Sequence, residues 1–490
     1  MMMHARPWIV QFVFAWLLLA CQTLPAAPLI EWTRQLGTTG TDQAAGIGSD
    51  SSGNIFVTGR TNASLDGVHQ GGYDIFLRKY DSSGNLHWAK QLGTPENDLG
   101  WDVTVDAAGN SYVAGEAGVS LDGAAGLGAF VSKYDPDGNE IWITQFGSYT
   151  TDQALQVSVD SSDSVYVSGV TRGDAFIHKF DSNGSYSWAR QFGSIFSEVA
   201  WSVAAGDTGV YVTGEEQNDM FLRKYTTDGD LLWTQVIEGA YVRGYGVSID
   251  GLGNVFVGGN SGGIVGETHY GRFDGYVAKY NPEGALQWLE TLGTSENDNA
   301  ADVVADGFGN VYVTGFTSGA FPGEVGDERD FYVAKYDTAG TQQWLMQLGT
   351  SSLDNAFSLS TDGLGGVYIA GDTGGVLQGS SFGGFDAFLM KISDIPNSSR
   401  GDFDQDGDVD GRDFLAWQRG ETGNPTSAAD FEEWQANFGA RHIPLVALAT
   451  TVPEPAGYSL ILLTSMWALN RRNQTKSCRT CRNHHCFVLP

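Results

Sequence analysis

Between residues 32 and 344 a tryptophan followed by the same pattern recurs seven times, at Trp32, Trp88, Trp142, Trp188, Trp233, Trp288 and Trp344, spaced 56, 54, 46, 45, 55 and 56 residues apart. Each Trp marks one copy of an internal repeat. From the Trp, a copy runs W-x-x-Q-x-G, D-x-A-x-x-V-x-V-D, G-N-V-Y-V-T-G and D-x-Y-V-A-K-Y-D-x-x-G-x-x-x-W, which is four short apolar runs separated by turn residues. A self-similar unit of this length, with four strands and no helix, predicts one blade of a β-propeller.

The strands rest on β-branched and aromatic residues bounded by Gly and Asp, as in Asn310-Val311-Tyr312-Val313-Thr314-Gly315 followed by Asp330-Phe331-Tyr332-Val333-Ala334-Lys335-Tyr336. Helix is not expected before residue 396. Asp50-Ser51-Ser52-Gly53 and Asp81-Ser82-Ser83-Gly84 read as hairpin turns. In each, Asp accepts backbone hydrogen bonds and Gly tolerates the positive φ of a tight turn. The seventh copy stops at Leu389-Met390-Lys391-Ile392, before its own outer Trp strand. The lone strand Pro28-Leu29-Ile30-Glu31-Trp32 is expected to supply it, closing a ring of seven blades and removing the exposed edges of an open array.

The pattern Y-D-x-x-G-N-x-x-W-x-x-Q-x-G-T with G-N-x-Y-V-T-G resembles the bacterial seven-bladed β-propeller repeat family (SBBP) over residues 28 to about 394. That resemblance implies the fold and no general catalytic activity. A weaker likeness, to quinoprotein propellers, rests on the D-x-x-G-x-x-x-W stretch, but those have eight blades and a cofactor site.

The 66 glycines suit a turn-rich β-ring. Net charge is −31, and the terminal segments that hold Arg6, Arg471, Arg472, Lys476, Arg479 and Arg482 contain no acid, so the remainder is more acidic still. Such a surface repels nucleic acid and anionic membranes and suits divalent cations or neutral partners such as glycans. Residues 1–27 read as an export signal: His4 and Arg6, an apolar run from Trp8 to Ala20, then Leu24-Pro25-Ala26-Ala27. Leu18-Leu19-Ala20-Cys21 also resembles a lipobox, which would make Cys21 a lipidated N-terminus. All four cysteines, Cys21, Cys478, Cys481 and Cys486, fall in the end segments, so the propeller is expected to stand without disulfides.

After a propeller spanning 28–396, a second module is expected over 397–440. Asp402, Asp404, Asp406, Asp410 and Asp413 occupy loop positions 1, 3, 5, 9 and 12 of a calcium loop, Asp408 offers its backbone carbonyl at position 7, and Gly407 sits at the sharp turn. The helix Phe414-Leu415-Ala416-Trp417-Gln418 follows. Asp413-Phe414-x-x-Trp417-Gln418 is echoed by Asp430-Phe431-x-x-Trp434-Gln435, and the pair resembles a type I dockerin over 401–440. The second half lacks the D-x-D-x-D series, so calcium is expected in the first loop alone. The resemblance implies docking onto a cohesin-like module.

A linker, 441–451, leads to Val452-Pro453-Glu454-Pro455, an apolar run from Ala456 to Leu469, and Arg471-Arg472. Over 452–472 this resembles the PEP-CTERM sorting signal, which implies processing by an exosortase. Fourteen apolar residues are marginal for a bilayer core of about 30 Å, and the basic pair favours a cytoplasmic tail over 473–490. Within that tail Cys478-x-x-Cys481, His484, His485 and Cys486 lack a second spaced pair, which argues against zinc.

Residues repeated in every blade are expected to build blades. Lys79, Lys133, Lys179, Lys224, Lys279, Lys335 and Lys391 recur, with Asp74, Asp174, Asp219, Asp274, Asp330 and Asp386 five residues earlier in six copies. Pairing between strands or blades is the expected role. Asp42, Asp98, Asp152, Glu198, Asp298 and Asp354 open the inner strands, where they are expected to cap turns, with a cation ring as the alternative. Function is expected where symmetry breaks. Blades three and four have short links between their second and third strands, at Thr171 to Gly173 and Glu215 to Asn218, predicting a notch where a partner reaches His178, Glu215, Glu216 and Gln217. No Ser-His-Asp order, nucleotide loop or H-E-x-x-H motif appears. The sequence therefore suggests an exported, surface- or matrix-associated binding or scaffold protein with a protein or glycan partner. The alternative is a polysaccharide-active enzyme or part of a polysaccharide-degrading assembly.

Overall fold

The computed structural model describes residues 28–121, 128–147, 149–194, 197–266, 268–306, 309–326, 328–362, 366–393, 415, 417 and 418. Within them the chain forms seven antiparallel sheets of four strands each, taken in sequence order. Blade one, for instance, is Asp42–Ser49, Ile55–Thr61, Asp74–Tyr80 and Leu86–Leu92 from the axis outward. Blade seven takes its three inner strands from Asp354–Thr361, Gly366–Thr373 and Asp386–Ser393, and its outermost strand is Leu29–Leu36. There Trp32 pairs with Lys391 and Leu36 with Ala387. The ring is thus closed by the chain's first strand, as expected. Leu415, Trp417 and Gln418 have helical backbone. The calcium loop Asp402, Asp404, Asp406, Asp408, Asp410 and Asp413, the export segment and the sorting segment lie outside the described residues.

A blade's second and third strands are buried on both faces, which is why they read as continuous apolar runs rather than alternating ones. The core is accordingly a set of layers between blades. Between blades one and two, Phe56, Ile75 and Leu77 meet Val103, Val113, Phe130 and Tyr134. Between blades seven and one, Tyr368, Ala370 and Leu389 meet Ala44, Ile47, Ile55 and Phe76.

Six of the seven outer Trp side chains clasp the following blade, while Trp344 Nε1 has no hydrogen-bond partner among the described residues. Trp32 Nε1 donates to the Ser82 carbonyl at 3.0 Å, Trp88 to Pro136 at 3.0 Å, Trp142 to Ser182 at 3.1 Å and Trp188 to Thr227 at 3.1 Å. In these bonds the acceptor is in the turn between the next blade's third and fourth strands, which opens with Asp, Thr or Asn and closes with Gly. The glycine of that turn is required twice over. At Gly184 φ is +78°, and a Cβ there would lie 2.7 Å from the Trp142 ring. The turn glycine and the outer Trp of the preceding blade therefore recur together because one indole lies on the next blade's turn.

The recurrent lysines make the expected pairings, Lys79, Lys179, Lys224 and Lys279 between blades and Lys133 and Lys391 with acids of their own blades. Lys79 Nζ donates to Pro136 O at 3.0 Å, Lys179 to Thr227 O at 3.0 Å and Lys224 to Pro282 O at 3.1 Å. Each also lies over an aromatic ring of its own blade's second strand, such as Phe56, Tyr166 or Tyr211. The acids five residues earlier do not pair with these lysines. They hold the outer strand and the long link instead: Gln91 Nε2 and the Gln70 N–H both donate to Asp74 Oδ2, at 2.7 and 3.0 Å.

Candidate functional site

The acids opening the inner strands turn out to be caps. Thr94 N–H and Oγ1–H donate to Asp98 Oδ2 at 2.5 and 2.8 Å, and the same pair of bonds ties Thr38 to Asp42 and Thr350 to Asp354. Burial raises the pKa of Asp98, Asp298 and Asp354 above the usual carboxylate range. In blade five, where Val242 replaces the acid, the Val242 N–H donates to Asn218 O at 2.8 Å.

Three residues further along, every inner strand bulges. The register against the second strand shifts between Ala44 and Gly46, Gly100 and Asp102, Ala154 and Gln156, Ala200 and Ser202, Gly244 and Gly246, Ala300 and Asp302, and Ala356 and Ser358. The bulge also explains the glycine ending V-Y-V-T-G. A Cβ on Gly59 would sit 1.8 Å from the Gln43 carbonyl and 2.9 Å from the Phe76 ring. A bulged strand bends and re-aims its extra residue. The seven extra residues, Ala45, Trp101, Leu155, Trp201, Tyr245, Ala301 and Phe357, all line one cavity of about 500 Å³ in the ring's central channel. That volume is within the range of small-molecule sites, roughly 300–1,000 Å³.

Sevenfold symmetry ends in this cavity. Four of the seven bulged residues are aromatic, one is Leu and two are Ala. Trp201 and Tyr245 meet edge to face with ring centroids 5.4 Å apart. Arg60, at the end of blade one's second strand, spans the Tyr73 and Trp101 rings at 5.1 and 5.8 Å. Gln43, Gln153 and Asn299 contribute amides to the same wall.

Two carboxylates, Asp102 of blade two and Asp302 of blade six, complete the lining. Each grips the next blade: the Val157 N–H donates to Asp102 Oδ2 at 3.0 Å, and the Leu359 N–H to Asp302 Oδ2 at 2.8 Å. Ser202 does the same work neutrally, accepting from the Val247 N–H at 3.0 Å. The preceding blade makes room, since a Cβ on Gly46 would lie 2.5 Å from Asp102 Cα and one on Gly246 2.9 Å from Asp302 Cα. Burial pushes Asp102 up to about 6. Burial, with Asp102's own charge adding to it, pushes Asp302 up to about 7.

Of the residues expected at the notch, three stand together at the end of blade four's second strand. Glu215 is ion-paired with Arg243, whose guanidinium also reaches Tyr245 on the cavity wall. Glu216 pairs with Arg223 at 2.6 Å. Gln217 and Asn218 form a tight turn with φ of +56° and +71°, and Arg172 takes the corresponding position in blade three at +56°. The short links are therefore as expected, and Glu215 connects them to the channel mouth. His178 does not join this group. It lies mid-strand among Phe146, Phe176, Phe180 and Tyr186, between blades two and three, and burial pushes it down to about 4. Trp101, Asp102, Trp201 and Asp302, not the notch residues, form the chemically distinctive cluster. Among the described residues no group of three or more His, Cys, Asp or Glu side chains is arranged to hold a metal ion.

These features define a closed β-propeller of seven four-stranded blades with an occupied-size cavity on its axis. A family model described as Beta-propeller repeat (SBBP) matches residues 31–66, 87–122 and 287–322, each window beginning one residue before an outer Trp, so the chain carries repeats of that family. Among curated proteins it is similar to the Regulatory protein FlaEY of Caulobacter vibrioides, 27% identical over 151 residues, covering 27% of this chain and 16% of that one. It is also similar to the Uncharacterized WD repeat-containing protein L264 of Acanthamoeba polyphaga mimivirus, 24% identical over 152 residues, covering 25% of this chain and 11% of the relative. The matches thus span about a sixth or less of those relatives. Among solved structures, the Neurospora crassa Pan2 WD40 domain matches at 11% identity over 74% of this chain and 96% of its own, TM-score 0.45. The Dos1 propeller matches at 11% identity over 75% and 96%, TM-score 0.43.

Proposed function

We propose that this chain is an exported binding protein of the cell surface or extracellular matrix, whose propeller holds its ligand in the axial cavity. The observation that carries the reading is the cavity itself. Seven equivalent bulges place unlike side chains around one axis, and a residue needed only to build a blade has no reason to differ from blade to blade. Residues 401–440 then act as a dockerin-like module, with calcium at Asp402, Asp404, Asp406, Asp408, Asp410 and Asp413 ordering it by coupled binding and folding. The 452–472 segment, processed by an exosortase-type enzyme, holds the protein at the membrane at least transiently.

One observation favours the second reading, a polysaccharide-active enzyme: two carboxylates with raised pKa line a single cavity, as glycoside hydrolysis requires. Against it, both acids accept backbone N–H groups of the next blade, so each already has a structural role in joining neighbouring blades. The test is capture from the source cell's envelope and matrix by the full chain, with and without calcium, beside Asp404→Ala with Asp406→Ala. Binding through the propeller is expected to survive the double substitution, and a calcium-dependent partner such as a cohesin-like module to be lost. Release of product from the captured glycan would decide for the enzyme.

A further inference from the structure

We infer that the ligand of the axial cavity is a neutral saccharide, one or two sugar units long, seated among Trp101, Trp201, Tyr245 and Phe357. The inference rests on the binding reading above and names its ligand class. A sugar ring presents an apolar C–H face and an equator of hydroxyls. Aromatic side chains with polar handles suit the first and amides the second. The cavity lining offers both, with four aromatic rings and the amides of Gln43, Gln153 and Asn299, the first two held in place by one N–H each to Asp372 and Glu116 at 2.8 Å.

Hydrogen bonding separates this ligand from the others that an aromatic pocket accepts. Trp101 Nε1, Trp201 Nε1, Arg60 Nε and Asn299 Oδ1 are shielded from bulk solvent and have no hydrogen-bond partner. That is three donors and one acceptor on one lining, and a buried polar group left without a partner is costly to the fold. Hydroxyls both accept and donate, so a sugar matches a lining that presents unpaired donors and an unpaired acceptor together. A quaternary or primary ammonium brings no acceptor for the three donors. It also meets Arg60, whose guanidinium already covers the Trp101 face at 5.8 Å. An anion meets Asp102 and Asp302 in the cavity, with Glu116 and Asp372 flanking Arg60. What remains is a ligand without charge, rich in hydroxyls and flat enough to stack.

The test is tryptophan emission and calorimetry on the full chain, titrated with cellobiose, lactose, maltose and diacetylchitobiose. Digalacturonate serves as the anionic probe and choline as the cationic one. At least one neutral disaccharide is expected to shift the emission and bind. Trp201→Phe, which keeps a ring and removes the N–H, is expected to weaken it about fivefold. Trp101→Ala with Trp201→Ala is expected to abolish it. If that double variant does not fold, Trp201→Phe and Asn299→Ala carry the test alone. Binding of choline or digalacturonate that these substitutions remove, with no neutral sugar bound, overturns the saccharide and leaves the cavity as the site. Binding of any probe that is indifferent to every cavity variant, or no binding of any of the six probes, overturns both.

Discussion

At the scale of single residues, Asp102 and Asp302 sit under electrostatic tension. Each is an acid held in the low-dielectric channel with a pKa near 6 or 7, against about 3.9 in an unfolded chain. The folded state therefore binds more protons than the unfolded state between about pH 4 and pH 7. Stability falls as pH rises through that window, because the slope follows the excess of protons in the unfolded state, here negative. The stabilisation is fully present below about pH 4. Asp302→Asn is expected to flatten the decline between pH 5 and pH 8 by on the order of 1–2 kcal/mol. The amide offers one acceptor where the carboxylate takes the Val303 and Leu359 N–H groups, so the variant loses stability at pH 5 and recovers part of it at pH 8. Urea unfolding at the two pH values measures this, and parallel profiles for variant and wild type would show that Asp302 does not titrate in the window.

At the scale of elements, the repeat is a set of contacts that cross from blade to blade. A Trp, a Lys and a D-x-x-G turn recur together because one blade's indole and ammonium both donate to the next blade's turn. Gly184→Ala meets the Trp142 ring and a left-handed backbone at once, so it is expected to cost about 1–3 kcal/mol. Chemical denaturation reads this directly, and a loss below about 0.5 kcal/mol would show that the turn relaxes freely.

The same crossings explain what was legible in the chain. Blade count, strand order, turn chemistry and the closing strand followed from periodicity, because each is a constraint imposed seven times. The cavity was not legible, since its residues occupy the variable slot after Ala in D-x-A-x-x-V. Only a bulge turns that slot toward the axis, and its marks in the sequence are slight: the two-residue gap in A-x-x-V that breaks the period-two pattern, and the glycine on the second strand paired opposite that Ala. The available clue was chemical: Trp101, Trp201, Tyr245 and Phe357 stand where a plain inner strand would place small or polar residues, and Asp102 and Asp302 each follow a blade with Gly in the matching slot. His178 was misassigned to the notch for the converse reason. Its link is short, but strand alternation turns its ring toward blade two, away from Glu215.

At the scale of the whole molecule, an acidic ring closed by strand Leu29–Leu36 presents an axial cavity, with short links between the second and third strands of blades three and four. The pair Glu215 and Arg243 joins the blade-four link to Tyr245 on the cavity wall. The central claim, that the axis is the binding site, is tested most directly by amide hydrogen exchange on the full chain, with and without a hydrolysate of the source cell's envelope polysaccharide. Ligand is expected to slow exchange in the inner strands Asp98–Val105, Val199–Gly206 and Arg243–Ile249, which carry Trp101, Trp201 and Tyr245. Slowing confined to the outer strands or to residues 401–440, with these three strands unchanged, would contradict it.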